Sequence, residues 1–399
     1  AMKIGIDQLH LYSSHYYVDL KTLAVERGVD VDKFYRGIGQ EQMAVPAPDE
    51  DVVTLGANAA QGLAAGGDLD DVELLLFATE SGIDQSKAAG VFVHRLLGLS
   101  ERCRTVELKQ ACYSGTAAVQ LAVQYVARHP EKKALVIAAD IARYELNSPG
   151  EATQGCGAAA LVIAANPRLL CLEEEAGFYT EDVMDFWRPN YRSEALVDGK
   201  YSTLVYIRAL EACWKQYEAL SGRSLSDIDS FCYHIPFTKM AEKAHRKLCR
   251  SAGAALSASE MAAALDDSLK YSRRMGNCYT ASMYVGLASL LEQSGRDLTG
   301  KRIGLFSYGS GCVGEFFSGI VQPGYQMMLQ GALHQEMLRD RTELSYQQYE
   351  DIFNYRVPTD GGVYTFPEYR TGPYRLKGIN GHKREYESLV ESDESGSAG

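Results

Sequence analysis

The stretch that most constrains the fold covers residues 106–127, VELKQACYSGTAAVQLAVQYVA. It opens extended, reaches Cys112, turns through Ser114 and Gly115, and runs on from Thr116 apolar at almost every position. A helix apolar on all sides belongs in a protein interior. Cys112 is therefore expected at a strand-to-helix turn, at the N-terminus of a buried helix, where the macrodipole and free N–H groups favour an anion. A thiolate is such an anion, and a cysteine pKa lowered there yields a nucleophile. The competing reading is a small core hydrophobe, the commoner fate of a free cysteine.

Other apolar runs set the frame around it. VELLLFATE (72–80), KALVIAA (133–139) and AAALVIAA (158–165) read as strands buried on both faces, and residues 2–12 alternate like a strand. Between them, 20–33 and 50–65 read as helices and 37–46 as a loop. Strand, helix and strand in repetition predict a layered α/β architecture. The second half echoes this order with a strand over 230–237, helices through 239–265 and 279–293, and strands over 302–311 and 316–321. Residues 171–222 are more polar and read as an insertion covering the core, which separates an N-terminal half (2–170) from a C-terminal half (223–386). The tail over 387–399 is acidic and rich in small residues, so disorder is expected.

Composition excludes several classes. The N-terminus lacks an apolar core of signal-peptide length and no segment approaches the ~20 apolar residues that span a bilayer, so a cytoplasmic protein is expected. Nine cysteines, an odd number spread over 399 residues, suit reduced thiols, and the absence of CxxC or paired Cys/His spacing argues against a metal site. A formal charge of −12 disfavours nucleic acid or an anionic membrane as partner. An anionic small ligand would need a local basic patch, for which Lys239, Lys243, His245, Arg246, Lys247 and Arg250 are candidates; a solvated helix face is the commoner explanation. Residues 309–314 match GxGxxG, but a strand-like FFSGIV follows instead of a helix, so a dinucleotide site is rejected.

Three reactive side chains fall beside strand ends: Glu80, Cys112 and His234. Glu80 either caps the next element or is a general base, and His234 is either a satisfied structural residue or a catalyst. Together they suit acyl-thioester chemistry, in which a thiolate takes an acyl group, a carboxylate moves a proton on carbon and an imidazole polarises a carbonyl.

The stretches GIGQEQMAV, TESGID, ACYSGTAA, DIARYELNS, GEATQGCGA, YTEDVMDFWRP, VDGKYS, YHIPFTKM, MGNCYTAS and GLFSYGSG resemble the 3-hydroxy-3-methylglutaryl-CoA (HMG-CoA) synthases of the bacterial mevalonate pathway. The resemblance covers nearly the whole chain. It implies a thiolase fold, two pseudo-equivalent halves in five layers (α/β/α/β/α), a homodimer, and acetyl-CoA and acetoacetyl-CoA as substrates with no cofactor. It also implies that Cys112 is acetylated, that Glu80 is the acid/base and that His234 anchors the acetoacetyl carbonyl. Asn277 and Ser310 would line the acyl site, with a backbone N–H near Ser310 stabilising an oxyanion, and Tyr144 and Asp185 would belong to the same cavity. Asp30, Val31, Thr153, Ser202, Lys239 and Lys243 would contact CoA or its acyl group. Two positions depart from the pattern: Ala152 stands where proline is expected, and Val31 replaces a smaller residue. The ACYSG variant also resembles the synthases of polyketide β-branching, which act on a β-ketone carried by an acyl carrier protein.

Overall fold

The computed structural model describes residues 2–389. Ten strands build the main sheet: β1 (Ile4–Tyr12), β2 (Val72–Ala78), β3 (Arg104–Leu108), β4 (Lys133–Ile141), β5 (Cys156–Ala165), β6 (Leu170–Leu172), β7 (Gly177–Thr180), β8 (Ser230–Tyr233), β9 (Arg302–Gly309) and β10 (Val313–Val321). Seven helices surround or fill it: α1 (Val52–Ala65), α2 (Ala89–Leu96), α3 (Ser114–Arg128), α4 (Gly199–Ser221), α5 (Thr238–Ser251), α6 (Ala258–Met275) and α7 (Ser282–Gln293).

The strands lie in two half-sheets. In the first, β3, β2 and β4 run parallel, and β5 and β1 follow antiparallel. In the second, β8 is parallel to β9, and β10 returns antiparallel with β7 on its far side. Short β6 pairs antiparallel with both β1 and β10, which joins the halves along one seam. Successive strand residues point to opposite faces, and both faces are used. Leu76, Val136 and Leu161 pack inward with Leu305 and Phe317 of the other half around α3 and α7. Their neighbours Phe77, Ile137 and Val162 pack outward against α1 and α2. Across the molecule, Phe231, Tyr233 and Phe306 pack outward against α4 and α5. The result is the five-layer α/β/α/β/α thiolase fold. The order β2–α2–β3–α3–β4–β5 is repeated as β8–α5–α6–α7–β9–β10, except that nothing among the described residues corresponds to edge strand β3.

Several elements differ from their sequence expectation. The helix buried on all sides is α7, whose residues from Ser282 to Leu291 are all buried, whereas α3 leaves Leu121 46% exposed. The outer side of α3 lies next to β3, beyond which the sheet adds no strand among the described residues. Residues 37–46 are not all loop: Gln42–Val45 is a strand paired with Tyr16–Asp19. Residues 171–222 are not only a cover, because β7 joins the sheet and α4 packs on β7 and β10. At the C-terminus, Glu387 and Ser388 belong to the strand Lys383–Ser388, while the rest of the expected tail lies outside the described residues apart from Leu389. Among the described residues no helix is long and apolar enough to cross a membrane.

The crossing of α3 with the segment before α7 is close. A Cβ on Gly115 would lie 2.7 Å from the Thr280 carbonyl oxygen, a backbone atom that cannot swing aside. Gly115→Ala should therefore lower stability by about 1–3 kcal/mol, the usual cost of overpacking, read as a lower urea midpoint with an unchanged slope.

Candidate active site

Both halves present their reactive side chains at strand ends and helix starts, and the topology brings these ends together between the two half-sheets. After β3 the chain reaches Ala111, held at φ +45°, so that Cys112 projects from a tight turn. The Ser114 hydroxyl closes the turn by donating to the Ala111 carbonyl at 2.9 Å. Cys112 Sγ lies 3.0 Å from Glu80 Oε1, just beyond the end of β2.

Burial and this contact together reverse the expected ionisation of the cysteine. Burial pushes the Cys112 thiol well above its ordinary range, and the neighbouring Glu80 charge reinforces the shift. The helix start does not outweigh a carboxylate in direct contact. Burial, then the charge of Asp140, pushes Glu80 up to about 8. The pair therefore rests as a thiol donating to a carboxyl group whose own affinity for protons is high, and the thiolate forms when the proton crosses to Glu80.

Asp140, at the end of β4, was not singled out from the sequence. It is fully buried, and its Oδ1 accepts from the Thr79 hydroxyl (2.8 Å), the Glu80 N–H (2.9 Å), and the Ser81 N–H (2.9 Å) and hydroxyl (2.7 Å). Its Oδ2 accepts from the N–H (3.1 Å) and hydroxyl (2.6 Å) of Thr280 in the opposite half. Six donors and no acceptor define an ionised carboxylate.

His234 follows β8 directly and is buried, its N–H bonded to the Phe306 carbonyl (2.8 Å) and its own carbonyl held by the Tyr206 hydroxyl (2.9 Å). Burial lowers its pKa to about 3, so the imidazole is neutral. Asn277 Oδ1 accepts from the Tyr279 N–H (2.8 Å) and the Ser282 hydroxyl (3.0 Å), which leaves its NH2 as the group available to a ligand.

Cys112, Tyr144, Thr153, Ser202, His234, Asn277 and Ser310 line one cavity of about 180 Å³. Glu80 instead lines a larger cleft of about 960 Å³ and reaches the cavity through Cys112. Asp185 does not line the cavity as expected. It lies behind the wall, where its carboxylate holds the Tyr308 hydroxyl (2.6 Å), the Gly311 N–H (2.9 Å) and the Ser202 hydroxyl (3.1 Å). The Gly311 N–H is thus committed, so it is not the oxyanion donor expected near Ser310.

Asp30, Val31, Lys239 and Lys243 lie outside this cavity. Asp30 accepts from the Asp32 N–H (2.8 Å), Val31 precedes the short helix Asp32–Tyr35, and Lys239 pairs with Glu242 (2.8 Å). Lys243, Arg246, Lys247 and Arg250 are exposed, as a basic patch requires. His245 is not part of that patch: it is buried, and its Nδ1 lies 2.7 Å from the Tyr233 hydroxyl. Tyr206, Tyr279 and Tyr308 also line the cavity. In a chain with 25 tyrosines nothing in their spacing separates them from core aromatics.

A thiol able to pass its proton to a carboxyl, lining one cavity with a neutral imidazole, suits the making and breaking of thioesters. On a thiolase fold, that is the chemistry of an acyl-transferring enzyme. The chain belongs to the hydroxymethylglutaryl-CoA synthase family: the N-terminal profile of that family matches residues 1–168, and its C-terminal profile matches 171–251 and 246–361. It is 44% identical over 386 residues to the hydroxymethylglutaryl-CoA synthase of Enterococcus faecalis, covering 96% of this chain and 100% of that protein. It is 36% identical over 370 residues to a polyketide-biosynthesis 3-hydroxy-3-methylglutaryl-ACP synthase of Bacillus subtilis, covering 88% and 87%. A crystal structure of an HMG-CoA synthase complexed with CoA superposes with a TM-score of 0.93 at 41% identity, over 97% of this chain and 100% of the other.

The charge of Asp140 is one of the causes that hold Glu80 near 8. Removing a neighbouring negative charge favours ionisation. Asp140→Asn should therefore move the acid limb of the kcat/KM pH profile to lower pH, without restoring an ordinary carboxyl pKa, because burial, the larger cause, remains.

Proposed function

We propose that the chain condenses acetyl-CoA with acetoacetyl-CoA and water to give HMG-CoA and free CoA, through an acetyl group carried on Cys112. The Cys112–Glu80 contact carries this reading. In the first step the thiol proton passes to Glu80, the thiolate attacks the acetyl carbonyl, the C–S bond to CoA breaks, and the departing CoA sulfur takes the proton back from Glu80. In the second, Glu80 removes a proton from the acetyl methyl group. The resulting enolate forms a carbon–carbon bond to C3 of acetoacetyl-CoA, and the same proton then goes to the new alkoxide. Water finally cleaves the thioester: its hydroxyl stays on the acyl carbon, one proton goes to the Cys112 sulfur, and the new carboxylic acid releases the other to solvent, leaving a carboxylate on the product and a thiol on Cys112. Neutral His234 donates to the C3 carbonyl, and the Asn277 NH2 holds an acyl oxygen. No cofactor enters this reaction.

The basic side chains Lys239, Lys243 and their neighbours on α5 suit the CoA phosphates, and Asp30, Val31, Thr153 and Ser202 the remainder of the CoA chain. A homodimer fits edge strand β3, where Val106 is 48% exposed beside Val91 (41%) and Leu121 (46%) on the flanking helices. The cytoplasm of a cell making mevalonate suits nine unpaired cysteines. The ACYSG motif leaves a carrier-bound β-ketone as the alternative acceptor; the relative matched at the lower identity is named a 3-hydroxy-3-methylglutaryl-ACP synthase of polyketide biosynthesis.

Acetyl-CoA alone should add ~42 Da to the intact protein, an adduct that Cys112→Ser abolishes. Glu80→Gln should lower kcat by about 10²–10⁴-fold, the usual contribution of a general acid–base group. CoA release with acetoacetyl-CoA as acceptor supports the reading; release only with an acetoacetyl carrier protein replaces it with the alternative, and the absence of an adduct on the wild-type protein overturns both.

A further inference from the structure

Glu315 on β10 is buried and touches neither cavity, yet both of its carboxylate oxygens are committed to the helix that carries the nucleophile. Oε1 accepts from the Tyr113 hydroxyl at 2.7 Å, and Oε2 accepts from the Gln120 side-chain amide at 2.6 Å. Tyr113 adjoins Cys112. Gln120 lies seven residues further on, two helical turns along the same stripe of α3. Burying a carboxyl against two neutral donors, with no cation in contact among the described residues, is costly. An apolar side chain would fill the site at lower cost, so packing alone does not account for a glutamate here.

The rest of the contact has the same character. On the other side of Cys112, the Gln110 side-chain amide donates to the Ser310 carbonyl at 3.0 Å. A Cβ on Gly309 would come within 2.7 Å of the Tyr113 nitrogen, so the two backbones all but touch. The nucleophile turn belongs to the first half, but its fastenings are to the β9–β10 hairpin of the second.

We propose that Glu315 is a positioning residue for Cys112, strapping the first two turns of α3 to the opposite half and so fixing the sulfur against the cavity wall. The proposal rests on Cys112 being the acyl acceptor. A sulfur displaced by a fraction of an ångström loses its line to the thioester carbonyl and its contact with Glu80, which slows thioester formation without weakening CoA binding.

The test compares Glu315→Ala, Glu315→Gln, Tyr113→Phe and the double variant Glu315→Ala/Tyr113→Phe with the wild-type protein. Each is read by melting temperature, by the single-turnover rate and KM of Cys112 acetylation from acetyl-CoA, and by the rate of Cys112 alkylation by iodoacetamide in a peptide map. Glu315→Ala should slow acetylation by about tenfold or more with KM within about twofold of wild type, a split that general destabilisation would not give. Glu315→Gln, which keeps an acceptor for Tyr113, should recover most of the rate. The double variant should be no slower than Glu315→Ala, because the two residues act through one bond. A folded Glu315→Ala that acetylates at the wild-type rate overturns the proposal, as do single losses that multiply in the double variant. If Glu315→Ala does not fold, Tyr113→Phe decides: a wild-type acetylation rate overturns the strap. Alkylation separates the two readings. A wild-type protein that is never acetylated, but whose Cys112 alkylation rate changes in these variants, keeps the strap and overturns the synthase reading.

Discussion

The site depends on one buried carboxylate that touches no part of the cavity. Asp140 gathers Thr79, Glu80 and Ser81 from the end of β2 and Thr280 from the segment ahead of α7, so one side chain fixes both Glu80 and the loop that carries Asn277. A buried charge is tolerated only when its hydrogen-bonding capacity is filled, and here six donors fill it. That saturation also makes the charge a fixed electrostatic source beside Glu80. Structure and reactivity thus draw on the same group: the network that aligns the two halves adds, after burial, to what withholds ionisation from Glu80.

Cys112 shows how burial, reinforced by a carboxyl in contact, outweighs a helix start. The macrodipole is worth at most ~2 kcal/mol in favourable, partly buried geometry. A carboxyl at 3.0 Å in a desolvated site acts more strongly and in the opposite direction. Glu80, held near 8, has a proton affinity far above that of an ordinary carboxylate, so it is a better base toward the adjoining thiol. That is what a group needs if it is to take a proton from sulfur, give it up, take one from carbon and give it up again within a turnover.

Legibility in the sequence followed burial. Runs such as 133–139 and 158–165 were readable as strands because strands covered on both faces need unbroken apolar sequence. Gln42–Val45 was not, because a four-residue strand in a small sheet has no periodicity to distinguish it from a loop. Cys112, Glu80 and His234 stood out as reactive types beside strand ends. Asp140 did not, although it ends a buried strand just as Glu80 does, because its partners Thr79 and Thr280 are 201 residues apart and only the fold unites them. Asp185 was legible as part of the site but not as a support behind its wall, since contact with a ligand and contact with a ligand's neighbour leave the same sequence trace. Glu315 was invisible for the same reason.

The two halves repeat a topology but not a chemistry, and the difference lies in what surrounds equivalent positions. Glu80 follows β2 as His234 follows β8, and each half continues through a central helix, α3 or α7, into a parallel neighbouring strand. Beside Glu80 stand a charge and a thiol, so burial there yields a group that trades protons. Around His234 only burial acts, which leaves a neutral imidazole able to donate or accept a hydrogen bond but unwilling to carry charge. The helix starts diverge in the same way: Cys112 leaves its sulfur toward Glu80, whereas the Asn277 oxygen is tied back to Tyr279 and Ser282. One half therefore offers an exchangeable proton and a thiol while the other presents fixed dipoles. A condensation of two acyl groups needs both, at one point.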